Sequence, residues 1–390
     1  MNKKIKYLYR ILLICAVFIT CTACNAKKNN EESSGDFYQY QPYWNNDSFV
    51  TRSETGYYLT SDISGLSYLD NKSKELTLLC GDSTCTHTTK DCSANKDMEP
   101  YTIRYSGDKL YYIGSPSIGT VSLSRSDKDG TNEEVLGDLF TMASKTQVSI
   151  HFEVHQGYGY YAVALNEAED GPEVNFRLYR IKLEKNATPE LIYEEEKEVL
   201  AHHIYKISAE DSKIYFITTS YYMESNEEIK LLSYDTQTEE IDIVLDNISK
   251  HYTIWEGNIY FYTSENSTYS LKKYNISSEK IEVMISNMPE ERCGELSSDG
   301  RYLYSYPSFD SEGNSIGTNK IWIYDFTGKE VTEIDLGEMN VDRVFFGDTQ
   351  YLFVYRSTVE GRQVLMLYDK TQIGSGKNDF LSYSFSDLKQ

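Results

Sequence analysis

The sequence predicts an all-β fold, a β-propeller of seven four-stranded blades, on three observations. Tyrosine is abundant at 35 of 390 residues while proline numbers 7, and tyrosine with Ile, Val and Thr suits half-buried strands. No long stretch beyond the N-terminal leader sustains a 3.6-residue apolar period, so helix is expected to be scarce. A strand-turn-strand unit recurs at spacings from 43 to 55 residues. A chain of this length exceeds one ordinary core and suits a repeat array.

The chain begins with an address. Lys3, Lys4, Lys6 and Arg10 form a basic region, 11–20 is an apolar stretch too short to span a bilayer, and Cys21-Thr22-Ala23-Cys24 is a small-residue cleavage site. Residues 1–23 resemble a bacterial lipoprotein signal, with Cys21 where that family places an aliphatic residue. The resemblance implies cleavage before Cys24, diacylation of Cys24, and anchorage on the extracytoplasmic face of the cell membrane. Two acyl chains hold a soluble domain firmly, at about 0.8 kcal/mol per buried methylene. Residues 24–43 comprise the lipidated cysteine and a flexible tether, whose stretch NAKKNNEESSG is polar and apolar-poor.

Removing residues 1–23 takes away four positive charges and no acid, so the net charge falls from -22 to -26. Such a surface repels nucleic acid and anionic headgroups. No nucleic-acid partner is expected, and a monomer is.

The propeller is expected over 44–390. Its units align on central aromatic strands at Tyr57 (GYYL), Tyr111 (LYYI), Tyr160 (GYYA), Tyr215 (IYFI), Tyr260 (IYFY), Leu303 (YLYSY) and Leu352 (YLFVY). An inner strand precedes each anchor, as at 149–155, 203–207, 251–255 and 341–346. A third strand with alternating Tyr follows, as at 178–181, 231–234, 271–274, 321–324 and 365–368, then a fourth, as at 190–193, 241–245, 281–285 and 331–336. Four strands repeated seven times make seven blades, with six or eight as the alternative counts. The last blade takes its outer strand either from 380–385 or from the N-terminal segment 37–43.

The segments LSSDGRYLYSY (296–306) and KIWIYDFTGKEV (320–331) resemble the repeat of Tol-associated bacterial propellers. LSRSDKDGTNEEVL (123–136) is similar to the low-density-lipoprotein-receptor-related repeat found in secreted Firmicutes, including clostridial, lipoproteins. The resemblance covers most of 44–390, implies a Gram-positive propeller lipoprotein, and carries over no catalytic residue.

The most distinctive local feature is the loop at 80–92, with Cys80, Cys85, His87 and Cys92. Three thiolates and an imidazole supply a Cys3His set for zinc, although the spacing is that of no standard finger. A disulfide is the competing reading in an exported chain, with Cys293 as a fourth mature thiol besides Cys24. Four cysteines allow three pairings, which sequence does not choose between. The loop resembles one in the clostridial propeller lipoproteins, which implies a scaffold role.

Five of six histidines fall in or beside the inner strands of three successive units: His151 and His155, His202 and His203, and His251. Inner strands line a propeller's channel. His151 and His251 stand nine residues before their anchors, and His203 falls near the same level if the turn at 209–213 is longer. With Glu153 they form a candidate channel-mouth metal or anion site. Backbone-bonded inner-strand histidines are the plainer reading.

Asp127-Lys-Asp129-Gly130 starts like a calcium loop, but no helices flank it and the ligand series stops early, so it reads as a hairpin turn. Paired tyrosines such as Tyr57-Tyr58, Tyr111-Tyr112 and Tyr160-Tyr161 are expected to pack between blades. Catalysis has little to stand on: there is no G-x-S-x-G, no H-E-x-x-H and no phosphate-binding glycine loop. The expected function is binding of a protein, peptide or glycan. The alternatives are a propeller enzyme acting on cell-surface glycans or peptides, and an accessory or sensor subunit of an export or signalling complex.

Overall fold

The computed structural model describes residues 49–389, apart from segments at 62–64, 83, 88–91, 96–101, 115–118, 143–149, 167–173, 195–200, 222–227, 266–267, 308–318, 338–340, 346 and 358–361. The leader, Cys24 and the tether therefore lie outside the described residues, as does the 37–43 segment.

The described chain forms seven antiparallel sheets, each of four strands consecutive in sequence. Blade 1 holds β1 Val50–Arg52, β2 Gly56–Ser61, β3 Gly65–Asp70 and β4 Leu76–Leu78. Blade 2 holds β5 Arg104–Ser106, β6 Lys109–Gly114, β7 Gly119–Asp127 and β8 Glu134–Met142. Blade 3 holds β9 Ile150–His155, β10 Tyr158–Asn166, β11 Val174–Lys182 and β12 Glu190–Glu194. Blade 4 holds β13 Ala201–Glu210, β14 Lys213–Tyr221, β15 Glu228–Asp235 and β16 Ile241–Asp246. Blade 5 holds β17 Tyr252–Trp255, β18 Asn258–Glu265, β19 Thr268–Asn275 and β20 Lys280–Met288. Blade 6 holds β21 Gly294–Ser298, β22 Leu303–Pro307, β23 Lys320–Tyr324 and β24 Glu330–Asp335. Blade 7 holds β25 Val341–Phe345, β26 Tyr351–Ser357, β27 Gln363–Asp369 and β28 Phe380–Ser384.

The architecture is the expected seven-bladed propeller, and the core is divided among its blade interfaces. Successive side chains on a strand point to opposite faces of the sheet, so neighbouring tyrosines serve different interfaces. Tyr57 packs with Phe353 of blade 7 while Tyr58 packs with Ile103 and Leu110 of blade 2. Tyr160 faces Phe216 of blade 4 while Tyr161 faces the Leu123 side of blade 2. The aromatic pairs are thus interface core.

The turn between the third and fourth strands has a shared chemistry. Asp70, Asp235, Asn275, Asp325 and Asp369 each stand at or just past the end of the third strand. Each accepts a hydrogen bond through its side-chain oxygen from a backbone N–H two or three residues on, at 2.6 to 3.0 Å. This is the Asx turn, which mimics a backbone turn at the cost of no extra residue. Blade 2 uses Asp129 in the same way, 3.0 Å from the Thr131 N–H.

Among the described residues, ring closure exchanges no strand. The outer strand of blade 7 is β28, paired with β27, and among the described residues blade 1 meets blade 7 through side-chain packing and through bonds such as Tyr383 Oη to Lys74 O at 3.0 Å. Phe49, Tyr57 and Leu59 pack with Phe345, Phe353 and Leu365. Asp348 caps its own turn through Gln350 N–H at 2.7 Å, and its other oxygen accepts from Tyr57 Oη at 2.7 Å and Arg52 Nε at 3.1 Å. Asp299 occupies the corresponding turn of blade 6, accepting from Arg301 N–H at 2.8 Å and Tyr304 Oη at 2.5 Å. Lys370, fully enclosed, joins the two turns by donating to Asp299 Oδ2 at 3.0 Å and Asp348 O at 2.6 Å.

Two outcomes follow for stability. Lys370→Met leaves the Asp299 carboxylate buried without its cation, and should cost about 3 to 5 kcal/mol in urea unfolding; an unchanged midpoint would show that the network does not hold the ring. Turn N–H and hydroxyl donors hold Asp70, Asp235 and Asp325 below the ordinary value of 3.8. A depressed folded value means the unfolded chain binds more protons. Their contribution is therefore complete above pH 3.8 and lost as pH falls below it, which a urea midpoint followed through that range measures.

Candidate metal centre

The connection from β4 to β5 begins and ends on one residue. Leu66 of β3 accepts from Leu79 N–H at 3.0 Å and donates its own N–H to Ala94 O at 2.8 Å. Ser93 Oγ ties the same ends by donating to Leu79 O at 2.8 Å. Gly65 allows this approach, because a Cβ there would stand 2.2 Å from Ala94 O at a φ of +77°. The blade 2 hairpin packs on the same point, since a Cβ on Gly130 would lie 3.3 Å from Leu79 O and Ser93 Cβ. A pinned loop lies between residues 79 and 94, against both blades.

Within it, Asp82 accepts from Thr84 N–H at 2.8 Å and Thr84 Oγ1 at 2.7 Å, and its carbonyl accepts from Cys85 N–H at 3.1 Å. His87 adopts a left-handed φ of 56°. The result brings Cys80, Cys85 and Cys92 Sγ and a ring nitrogen of His87 within 4.8 Å of one another. His87 Nδ1 lies 3.4 Å from Cys92 Sγ, and His87 N–H points at Cys85 Sγ at 3.3 Å. A tetrahedral ion with Zn–S near 2.3 Å and Zn–N near 2.0 Å implies ligand separations of about 3.5 to 3.8 Å. The donor set and its spacing fit a thiophilic divalent ion.

Cys92 is buried, and Cys80, Cys85 and His87 are half-buried. Burial first, and the neighbouring thiols, push the Cys92 thiol up to about 11. At Cys80 burial also acts upward, but bonds from the Asp82 backbone, Cys92, Cys85 and Ser93 outweigh it and the thiol falls below its ordinary value. Among the described residues no bridge links the cysteines: Cys80, Cys85, Cys92 and Cys293 are free thiols. Cys293 stands apart, packed among blade 5 and 6 side chains with its Sγ donating to Pro289 O at 3.4 Å.

The inner-strand histidines have separate surroundings. His151 is buried opposite Ala162 on β10. His155 Nε2 meets Asp211 O at 2.8 Å, and Glu153 accepts from Arg104 Nε at 3.2 Å. His251 Nδ1 lies 2.9 Å from Glu295 Oε2. The side chains of His202 and His203 lie outside the described residues. A one-residue bulge between Tyr205 and Ser208 shifts the register, so Tyr205 faces Ile217, two past its anchor as Ala162 is. His203 pairs with Thr219, two residues beyond that level. Among the described residues, the channel histidines and Glu153 do not gather around a shared point.

The bulge places Lys206 at a φ of 49° and turns its side chain inward. Its Nζ donates to Tyr252 O of blade 5 and to Leu296 O of blade 6 at 3.2 Å, with Glu295 Oε1 at 3.5 Å. Glu295 thus stands between Lys206 and His251, all on or beside innermost strands. Burial lowers the Lys206 ammonium's pKa, and Glu295 opposes that shift. Arg104, Lys206 and Glu295 carried no motif; a lone Lys in the apolar run IYKIS was the available signal.

No protein-family model matches the chain, and neither does any curated protein. Among solved structures, oligogalacturonate lyase from Vibrio parahaemolyticus is similar at 12% identity and a TM-score of 0.51, over 86% of this chain and 98% of that one. A prolyl endopeptidase is similar at 10% identity and a TM-score of 0.57, over 86% of this chain and 48% of its own length. TolB from Acinetobacter baumannii aligns at 12% identity and a TM-score of 0.40, over 86% and 78%. At these identities the likeness is one of fold.

Glu295→Gln should destabilise the ring by about 3 kcal/mol, because Lys206 keeps a buried charge with only carbonyls around it. Lys206→Met added to it should recover most of that loss in urea unfolding. If the double variant is as unstable as the single, the pair is not what Glu295 supports.

Proposed function

We propose that the chain is a lipoprotein anchored through Cys24 on the extracytoplasmic face of a Gram-positive cell membrane. Its propeller acts as a binding module for a protein, peptide or glycan, and its first inter-blade loop carries zinc. The convergence of Cys80, Cys85, His87 and Cys92 within 4.8 Å is the observation that carries the metal assignment. Those residues would hold the ion, which when bound supplies a closed structural centre fixing the loop between blades 1 and 2. The inner-strand ion pairs occupy groups that catalysis would otherwise draw on, which favours the binding reading: Glu295 is engaged by Lys206 and His251, and Glu153 by Arg104. Groups so engaged serve the scaffold. The second reading is an enzyme acting on cell-surface glycans or peptides, with which the propeller fold shared with an oligogalacturonate lyase is compatible.

Protein purified without chelator should contain about one zinc per chain. His87→Ala and Cys85→Ser should lower that content while Cys293→Ser keeps it. Absence of stoichiometric metal removes the assignment. In a Gram-positive host fed an alkyne fatty acid, the chain should be labelled at the membrane and Cys24→Ser should abolish the label; equal labelling of both overturns the anchor. Glycan-array and peptide binding without turnover supports the module, whereas cleavage of a cell-surface glycan or peptide moves the assignment to the enzyme.

A further inference from the structure

We propose that the same loop is a redox-controlled metal site, in which a small-molecule disulfide converts two of its three thiolates to a disulfide and so expels the zinc. The inference rests on the zinc reading. Its basis is geometric. A closed Cys3His centre needs all four donors, and all three sulfurs lie within 4.8 Å of one another. A pair close enough to share an ion is close enough to be joined by local movement of the loop. Oxidation of any two leaves one sulfur and the His87 imidazole, which is half of a tetrahedral set. Metal and disulfide are therefore alternative states of one loop.

Access decides where the chemistry starts. Cys80 and Cys85 are half-buried whereas Cys92 is buried, so an external disulfide RSSR meets Cys80 or Cys85 first. That thiolate attacks one sulfur of RSSR; the S–S bond breaks, a mixed disulfide forms, and RS⁻ leaves and takes a proton from water. A second loop thiolate then attacks the cysteine sulfur of the mixed disulfide, forming the internal bridge and releasing a second RS⁻. Two thiolates have lost two electrons in total, and one RSSR has become two RSH. The loop ends stay hydrogen-bonded to Leu66 through Leu79 and Ala94, so the sulfurs remain neighbours and the bridge can be reduced again.

Cys293 provides the internal control. It is a free thiol outside the cluster, hydrogen-bonded to Pro289 O, and has no described cysteine beside it to complete an exchange.

The test uses the full mature chain loaded with zinc and treated with oxidised glutathione. Zinc release is read with a chromogenic chelator, thiols by titration, and the product by intact mass. About one zinc should leave for about two thiols lost, with a mass decrease of about 2 Da. Dithiothreitol with added zinc should restore the starting state, and Cys293→Ser should behave identically. Loss of thiols with zinc retained overturns the proposal, as does zinc-loaded protein that resists a glutathione disulfide concentration which oxidises the metal-free chain. Both results leave the zinc centre standing. A chain that never takes up zinc removes the centre and the switch together.

Discussion

A blade of this protein cannot bury itself. Its sheet is apolar on two faces, and each face is covered only by the blade beside it, so the last blade must meet the first or both lose a face. Among the described residues, blade 7 does so without lending a strand. The interface instead rests on Phe49, Tyr57 and Leu59 packed against Phe345, Phe353 and Leu365, and on the Asp348 carboxylate reached by Tyr57 and Arg52. Side-chain closure fixes register less strongly than a shared ladder would, since it lacks the backbone pairing that sets strand alignment. Lys370 adds a contact from inside, tying the blade 6 and blade 7 turns to each other.

The ring centre follows from the same geometry. Innermost strands present an edge of N–H and C=O groups with no further strand to pair them, and burying such groups without partners is costly. Lys206 answers part of that cost by reaching carbonyls of two other blades, at Tyr252 and Leu296. Its own burial then needs a counter-charge, which Glu295 supplies, and His251 completes the carboxylate's bonding. Arg104 and Glu153 make a comparable pair between blades 2 and 3. Of the residues that sequence spacing grouped as a histidine site, Glu153 pairs with Arg104 and His251 with Glu295.

The difference shows what the sequence could convey. Blade number and strand order were legible because tyrosine-rich alternation at a period near 50 residues is a direct consequence of two-faced burial. The Cys80 to Cys92 cluster was legible too, because its ligands are local and a short loop brings them together. Long-range pairs such as Lys370 with Asp299, 71 positions apart, have no local signature. The His203 level depended on where the extra residue sat. The notion of a longer turn at 209–213 put His203 near His151, whereas the bulge at 205–208 puts Tyr205 there. One residue of register decides which side chain faces a neighbour.

The proposed metal loop lies apart from the ring's own support. The buried cations and carboxylates of the centre cannot be altered without exposing a partner's charge, which makes them poor positions for a group that must change state. The loop of residues 79–94 is under no such constraint. It is fastened at its ends to Leu66, Leu79 and Ser93 at those ends pack near Gly130 of blade 2, and three of its four donors are half-buried. None of the four donors lies in a strand, so the proposed change of ligation requires no strand pairing to break. A reversible site of the kind proposed can coexist with the propeller because its four donors take no part in the side-chain cluster that joins blades 1 and 7.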